Sequence, residues 1–162
     1  MHSSALFWRA VFAFLALPAT VAGLVPWLLL PPDRHMNAVG LPIVTVGIVL
    51  LLWCVRDFYV AGRGTLAPWA PPTRLVTGGL YRFSRNPMYL GVLLILCGWA
   101  VAFQTHPLWI YGAGIALAFH ARVVFHEEPW LARTHGPAWL VYRSRVARWL
   151  GRWPAATVSS SI

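Results

Sequence analysis

Two short polar segments interrupt a chain that is otherwise apolar, and both carry side chains able to hold or move charge. The first, Gly78-Gly79-Leu80-Tyr81-Arg82-Phe83-Ser84-Arg85-Asn86-Pro87-Met88-Tyr89-Leu90-Gly91, gathers two tyrosines and two arginines around an Asn-Pro step. Asn is a favoured N-cap and Pro suits the first helical position, so the spacing predicts a helix beginning at Pro87. The free N–H groups of such a start, its positive dipole end and Arg85 beside it make a site for a carboxylate or phosphate. Tyr89 comes one turn deeper. Gly91 gives room to a flat ligand or to a neighbouring helix. A plainer account is also open, in which the arginines anchor the chain at a membrane surface and the cap only starts a helix.

The second segment, His126-Glu127-Glu128-Pro129, follows a long apolar run. Adjacent carboxylates at the end of such a run are costly to desolvate and are usually paired or functional. His120 lies seven residues before Glu127, about two helical turns, so the two are expected to share a face. If the chain folds back as a hairpin, Glu127 and Glu128 come beside Arg85. That arrangement suits a zwitterionic ligand, its carboxylate at the helix start and its ammonium or hydroxyls at the glutamates. A metal site made from His120, His126, Glu127, Glu128 and His135 is not favoured, because the histidines do not share a helix face and no HExxH pattern is present. Gly62-Arg63-Gly64 is a fragment of a glycine-rich loop without its strand and helix. No Ser or Cys nucleophile has a paired base.

The elements that must position these groups are membrane helices. The chain has 162 residues, of which 59% are hydrophobic and 10% charged. An ordinary soluble domain has about 45 to 50% and about 25%, so a soluble globular protein, a disordered chain and a collagen-like chain are all excluded. Cys54 and Cys97 lie inside apolar runs and imply neither a disulfide framework nor a zinc cluster. Four stretches, Ala5 to Leu30, Met36 to Val55, Pro87 to Gln104 and Leu108 to Phe125, hold 26, 20, 18 and 18 residues, against about 20 for a spanning helix. Pro18 and Pro26 are expected to kink the first. It lacks the short core and cleavage site of a signal peptide and is read as a retained helix. The third and fourth are joined only by Thr105, His106 and Pro107, a tight hairpin.

All 13 basic residues are Arg, and the net charge is +9. In so apolar a chain this marks the sidedness of the loops and not nucleic-acid binding. With four spans, 12 of the 13 arginines fall on one side and only Arg34 on the other, which puts both termini in the cytoplasm, in an inner membrane of bacterial type. Beyond the last span, Trp139, Tyr142, Val146, Trp149 and Trp153 recur at spacings of 3, 4, 3 and 4, with arginines opposite. This predicts an amphipathic helix lying in the interface. The expected fold is therefore all-α and integral to the membrane: one embedded domain over residues 1–153 with about four spans, and a disordered tail over 154–162.

The runs Gly64-Thr65-Leu66-Ala67-Pro68, Pro71-Pro72, Leu75-Val76, Gly79-Leu80-Tyr81-Arg82 and Arg85-Asn86-Pro87-Met88-Tyr89-Leu90-Gly91 resemble the integral-membrane methyltransferases. That family includes isoprenylcysteine carboxyl methyltransferase, the phospholipid N-methyltransferases and short bacterial relatives. A second block, Glu127-Glu128-Pro129-Trp130-Leu131 with Gly136 and Tyr142, is similar to its carboxyl-terminal Glu-Glu motif. The resemblance covers about residues 62–153. Two blocks at the right separation are far more specific than either alone.

The resemblance implies S-adenosylmethionine as methyl donor and a lipophilic acceptor arriving from the lipid bilayer: an isoprenylcysteine-like carboxylate, a phospholipid amine or a small thiol. It assigns Arg85, Tyr89 and Gly91 to one donor-binding motif and Glu127 and Glu128 to the other. With their neighbours, the donor-binding candidates are Tyr81, Arg85, Asn86, Pro87, Tyr89, Gly91, His120, Glu127 and Glu128, and the catalytic candidates are Arg85, Glu127 and Glu128. Arg143, near the apolar face of the last helix, is placed to meet an acidic group on the acceptor. No metal and no nucleic acid are expected. Eukaryotic members carry His where this chain has Asn86, and Asn is no base near neutral pH, which speaks against an acid–base role there. Two other classes remain: an NADPH-dependent reductase of the sterol type, which should need more basic contacts than Arg85 and a helix end, and a non-catalytic membrane subunit.

Overall fold

A computed structural model describes residues 18–33, 35–61 and 75–151, and these are all helix, turn and loop, with no strand. Only the end of the first apolar stretch is described. There a widened π turn, Thr20–Leu24, leads into a short helix α1, Val25–Leu28. The wide turn directly precedes Pro26, whose ring cannot fit against a regular preceding turn. Tyr111 donates a hydrogen bond to the Val21 carbonyl (2.9 Å), which ties this segment to the rest of the bundle.

The second stretch becomes α2, Gly40–Ala61, which runs past its expected end at Val55 through Arg56 and Asp57. In an apolar environment the backbone has no alternative to its own hydrogen bonds, so the helix continues until polar side chains reach water. α3 spans Pro87–Phe103, as the Asn-Pro step predicted. It ends at Gln104 in the left-handed conformation (φ 49°). α4, His106–Arg122, follows at once, with Pro107 in its first turn where no N–H is needed. The hairpin link is thus Gln104–Thr105, shorter than the three residues anticipated.

α2 and α3 pack antiparallel through glycine. Gly40 and Gly47 of α2 and Gly98 and Gly91 of α3 are each seven residues apart, two turns, so each pair lies on one face. A Cβ at Gly98 would come 2.5 Å from the Val44 side chain and 2.7 Å from its backbone nitrogen, and one at Gly47 would come 2.8 Å from the Gly91 carbonyl. Backbone therefore rests on backbone, the close approach that small residues allow between membrane helices. The end of the seam is pinned by Asn37 N–H donating to the Ala102 carbonyl (2.7 Å). Leu51, Val92, Ile95 and Leu96 fill the core beside it, with Ala22.

The fourth stretch does not stop at Phe125. α4 passes through a π turn, Val123–Glu127, directly into α5, Glu128–Arg145, so the glutamate pair lies within a continuous helical run. α5 bends where Gly136 (φ 49°) precedes Pro137. It also ends earlier than the expected amphipathic helix. Val146 is extended (φ −125°, ψ 129°), and Ala147 N–H turns back to the Gly151 carbonyl (3.2 Å). Trp139, Tyr142 and Val146 are buried together against Leu75, Leu131 and Ala132 of the protein itself, where a face lying in the interface was expected; Trp149 has left the helix, and Trp153 and the tail over 154–162 lie outside the described residues.

Among the described residues, two helices are long and apolar enough to cross a membrane, Gly40–Asp57 within α2 and the run His106–Arg145. α3 is apolar throughout but has 17 residues, about 26 Å at 1.5 Å per residue.

Candidate active site at the start of α3

The site is built on the chain that leads into α3. A single 3-10 turn, Gly79–Arg82, begins at Gly79 in the left-handed region (φ 57°), where an added Cβ would strike the Asp57 carboxylate at the end of α2. The turn buries Tyr81 against Cys54 and Val76. The Tyr81 carbonyl accepts a hydrogen bond from the Tyr142 hydroxyl (2.7 Å), and its own hydroxyl pairs with the Cys54 thiol. Tyr81, a donor-binding candidate, is thus a packing residue that fixes the approach to α3.

Ser84 and Asn86 then fasten a distant piece of chain. Ser84 Oγ accepts the Asn86 N–H (3.0 Å) and donates to the Arg148 carbonyl (3.4 Å). Asn86 Nδ2 donates to the same carbonyl (3.0 Å). Asn86 holds the N-cap position of α3, but its side chain makes no cap hydrogen bond; the nearby carbonyl has taken it. Arg85 N–H donates to the Ala147 carbonyl (3.0 Å). Residues 146–151 therefore lie as a strap across the entrance to α3. Pro87 occupies the first turn of the helix, as expected.

The Arg85 side chain is 7% exposed and points inward, its Nη1 2.9 Å from Glu128 Oε1. Its guanidinium stands over the Trp139 ring, 5.4 Å from the centroid, and Trp139 is itself 1% exposed. Burial lowers the proton affinity of Arg85, and the Glu128 charge opposes that effect. Arg148 comes from the strap as a fork: Nε meets Glu128 Oε1 at 2.8 Å and Nη2 meets Oε2 at 2.9 Å. That hydrogen bonding raises the Arg148 pKa. Glu128 is thus clasped on both oxygens by two arginines.

Glu127 faces elsewhere. Its Oε1 accepts hydrogen bonds from the Tyr89 hydroxyl and from Arg122 Nε (2.8 Å), and Arg122 Nε also lies 3.2 Å from the Tyr89 oxygen. The Tyr89 ring rests on Phe119 at 4.4 Å between centroids. Arg122 and Glu127 are five residues apart, a spacing that puts two side chains on different faces of an α-helix. The π turn between them has i to i+5 periodicity and brings them together. It also shifts the two-turn alignment expected of His120 and Glu127. His120 instead accepts the Trp149 indole N–H at Nδ1 (3.3 Å) and stacks on that ring.

Of the sequence candidates, Arg85, Tyr89, Glu127 and Glu128 form two joined ionic clusters, and Asn86 and Pro87 frame them. Gly91 is used by the neighbouring helix, its Cβ direction facing Gly47 and Leu51 of α2. Arg143 is exposed, and its positive charge reaches Arg85 and Glu128 without an ion pair to either. Sequence reasoning missed Arg122 and Arg148. The first looks off-face on an α-helical template, and the second lies on a segment expected to be helical and turned to solvent. Among the described residues, no group of three His, Cys, Asp or Glu is placed to hold a metal ion.

An all-helical chain with apolar spanning helices and a charged site at their ends defines a membrane-protein class. The comparison with known families then identifies it: the phospholipid methyltransferase family matches residues 36–138, and the chain belongs to that family. The match takes in α2, α3, α4 and the bend in α5, with Arg85, Tyr89, Arg122, Glu127 and Glu128 but not Arg148, and so begins upstream of the expected residue 62 and ends before the expected residue 153. Comparison with curated proteins and with solved structures gives no match. Methyl transfer is the general activity the family carries, and the apolar helices agree with a membrane location.

Proposed function

We propose that the protein is an S-adenosylmethionine-dependent methyltransferase of the membrane, acting on a lipophilic acceptor. The observation that carries this reading is the pairing of Arg85–Glu128 with Tyr89–Glu127 across the first turn of α3. A cationic group at a helix N-terminus and a part-exposed carboxylate one turn on are complementary to an amino-acid zwitterion. Two atoms support the fit. Arg85 Nε is buried with no hydrogen-bond acceptor among the described residues. Glu127, 28% exposed, uses only Oε1 for its protein contacts. Arg85 and the start of α3 would hold the donor's carboxylate, and Glu127 its ammonium or hydroxyls. The same residues, with Tyr81, Asn86, Pro87 and His120 around them, are the site proposed from sequence; Tyr81 and Asn86 serve it by shaping the backbone.

When bound, S-adenosylmethionine supplies an electrophilic methyl on a positively charged sulfur. The protein's part is to orient the acceptor in line with that methyl and to exclude water. An amine or thiol acceptor must lose a proton; Glu127 either takes it or holds the donor, since one carboxylate does not do both at once. The family name favours a phospholipid amine over an isoprenylcysteine-like carboxylate or a small thiol. Large apolar side chains on the outer faces, Ile110, Leu117 and Phe125 among them, fit access from the bilayer. Arg143, exposed beside the site, would meet the acceptor's acidic group. The domain is taken to be one embedded unit, with both termini cytoplasmic on the strength of the arginine distribution.

Isothermal titration of the detergent-purified protein tests the reading. S-adenosylhomocysteine should bind and NADPH should not. Binding of NADPH alone would turn the assignment to a reductase, and binding of neither would leave a membrane subunit without this chemistry.

A further inference from the structure

The adjacent glutamates are alike in the sequence and unlike in the fold. Glu128 is 11% exposed, and both its oxygens are taken, Oε1 by Arg85 and Arg148 and Oε2 by Arg148. A carboxylate offers about four acceptor sites; Arg148 fills one on each oxygen and the Arg85 guanidinium stands 2.9 Å from Oε1, an arrangement a ligand would have to break. Glu127 is 28% exposed, and among the described residues its Oε2 takes no donor. About 100° of helix rotation separates adjacent residues, and the two side chains accordingly meet different partners, Glu127 with Tyr89 and Arg122 and Glu128 with Arg85 and Arg148.

What Glu128 holds is the strap. Arg148 is bound by its fork to Glu128, and its carbonyl takes Asn86 Nδ2 and Ser84 Oγ, while the Ala147 carbonyl takes the Arg85 N–H. At the far side Trp149 reaches His120 on α4. The strap thus crosses from the start of α3 to the end of α4, over the two ionic clusters, and Arg148 is the one side chain in it that grips a buried charge.

We infer that Glu128 and Arg148 are positioning residues, whose forked ion pair fastens the strap of residues 146–151 across the start of α3, and that Glu127 is the member of the glutamate pair that contacts the ligand. This rests on the methyl-donor reading for the nature of that ligand, a group with N–H or O–H donors; the fastening of the strap does not. Glu128 acts through Arg148, and its removal releases the strap and moves Arg85.

The test is a double-mutant cycle in the full-length protein in nanodiscs, read by S-adenosylhomocysteine affinity and by hydrogen exchange. Arg148 is 30% exposed, so Arg148→Gln leaves the helices packed and keeps the test valid if Glu128→Gln fails to fold. Glu128→Gln and Arg148→Gln should each speed exchange in the peptides covering 84–86 and 146–151 and weaken binding about tenfold. The double variant should be no worse than either single one. Glu127→Gln should weaken binding about tenfold or more with exchange in those peptides unchanged, and its effect should add to that of Arg148→Gln. Additive losses for Glu128→Gln and Arg148→Gln, or unchanged exchange in Arg148→Gln, would overturn the inference. If the wild-type protein binds no S-adenosylhomocysteine, the methyl-donor reading and Glu127's part fall, and the exchange cycle still decides the role of Glu128 and Arg148.

Discussion

Along the seam between α2 and α3, contact is made by what is missing: four glycines let two backbones touch. At the start of α3 and the junction of α4 with α5, contact is made by charge, with Arg85, Arg122 and Arg148 gripping Glu127 and Glu128. The same helix, α3, belongs to both regions. At Gly40, Gly47 and Gly98 the seam has no room for an added atom, because backbone of the facing helix lies within 3.0 Å of each Cβ direction and cannot move aside. The charged end tolerates changes of shape but not loss of a partner, because a buried ion left alone is costly. The charged site is thus hung on a rigid apolar mount, and the two parts should fail in different ways.

The largest expected effect is in the seam. Gly98→Val should cost about 3 kcal/mol or more through overpacking against Val44 and Gly40, and a thermal melt in detergent should fall steeply or lose its transition. A melt like that of the wild type would mean that α2 and α3 do not meet in this register.

Next comes the charged end. Arg85→Gln leaves Glu128 with Arg148 alone and empties the space over Trp139. It should lower stability by about 2 kcal/mol and abolish binding of S-adenosylhomocysteine, with helix content by circular dichroism retained. Retained binding would detach Arg85 from the ligand.

A smaller change sharpens the contrast. Tyr89→Phe keeps the ring on Phe119 and removes only the hydroxyl that donates to Glu127. A loss of about 1 kcal/mol is expected, seen as a severalfold weaker affinity in titration with an unchanged melt. If the melt falls and affinity holds, the Tyr89–Glu127 pair belongs to the mount and not to the site.

The smallest effect is a control for the seam. Nothing lies within 4 Å of a Cβ added at Gly114 of α4, so Gly114→Ala should leave the melt unchanged or raise stability by about 0.5 to 1 kcal/mol. A loss as large as that of Gly98→Val would show that the cost tracks glycine removal in general and not backbone contact.

The start of α3 was legible because it is local: the helix begins at Pro87 as the Asn-Pro step predicted, although the Asn86 side chain binds the Arg148 carbonyl and does not cap the helix. The membrane class followed from composition, and the two blocks that meet in the charged site from the residues at 85–91 and 127–128. The continuous helix from α4 into α5 was not legible. A π turn costs little in sequence pattern yet changes which residues face each other, and it moved Arg122 onto Glu127 and took His120 away. Gly91 could have served a ligand or a helix; that choice needed the position of Gly47 on another helix.

The sequence by itself thus determined what could be buried and where helices could start, since hydropathy and capping act within a few residues of chain. Only the tertiary structure decided how the charges pair. Arg148 is 20 residues from Glu128 and its carbonyl is 62 residues from the Asn86 side chain that binds it. At such separations a partner is selected by how the helices pack and by the cost of leaving a buried charge or carbonyl unmatched, and neither is written in the spacing of residues along the chain.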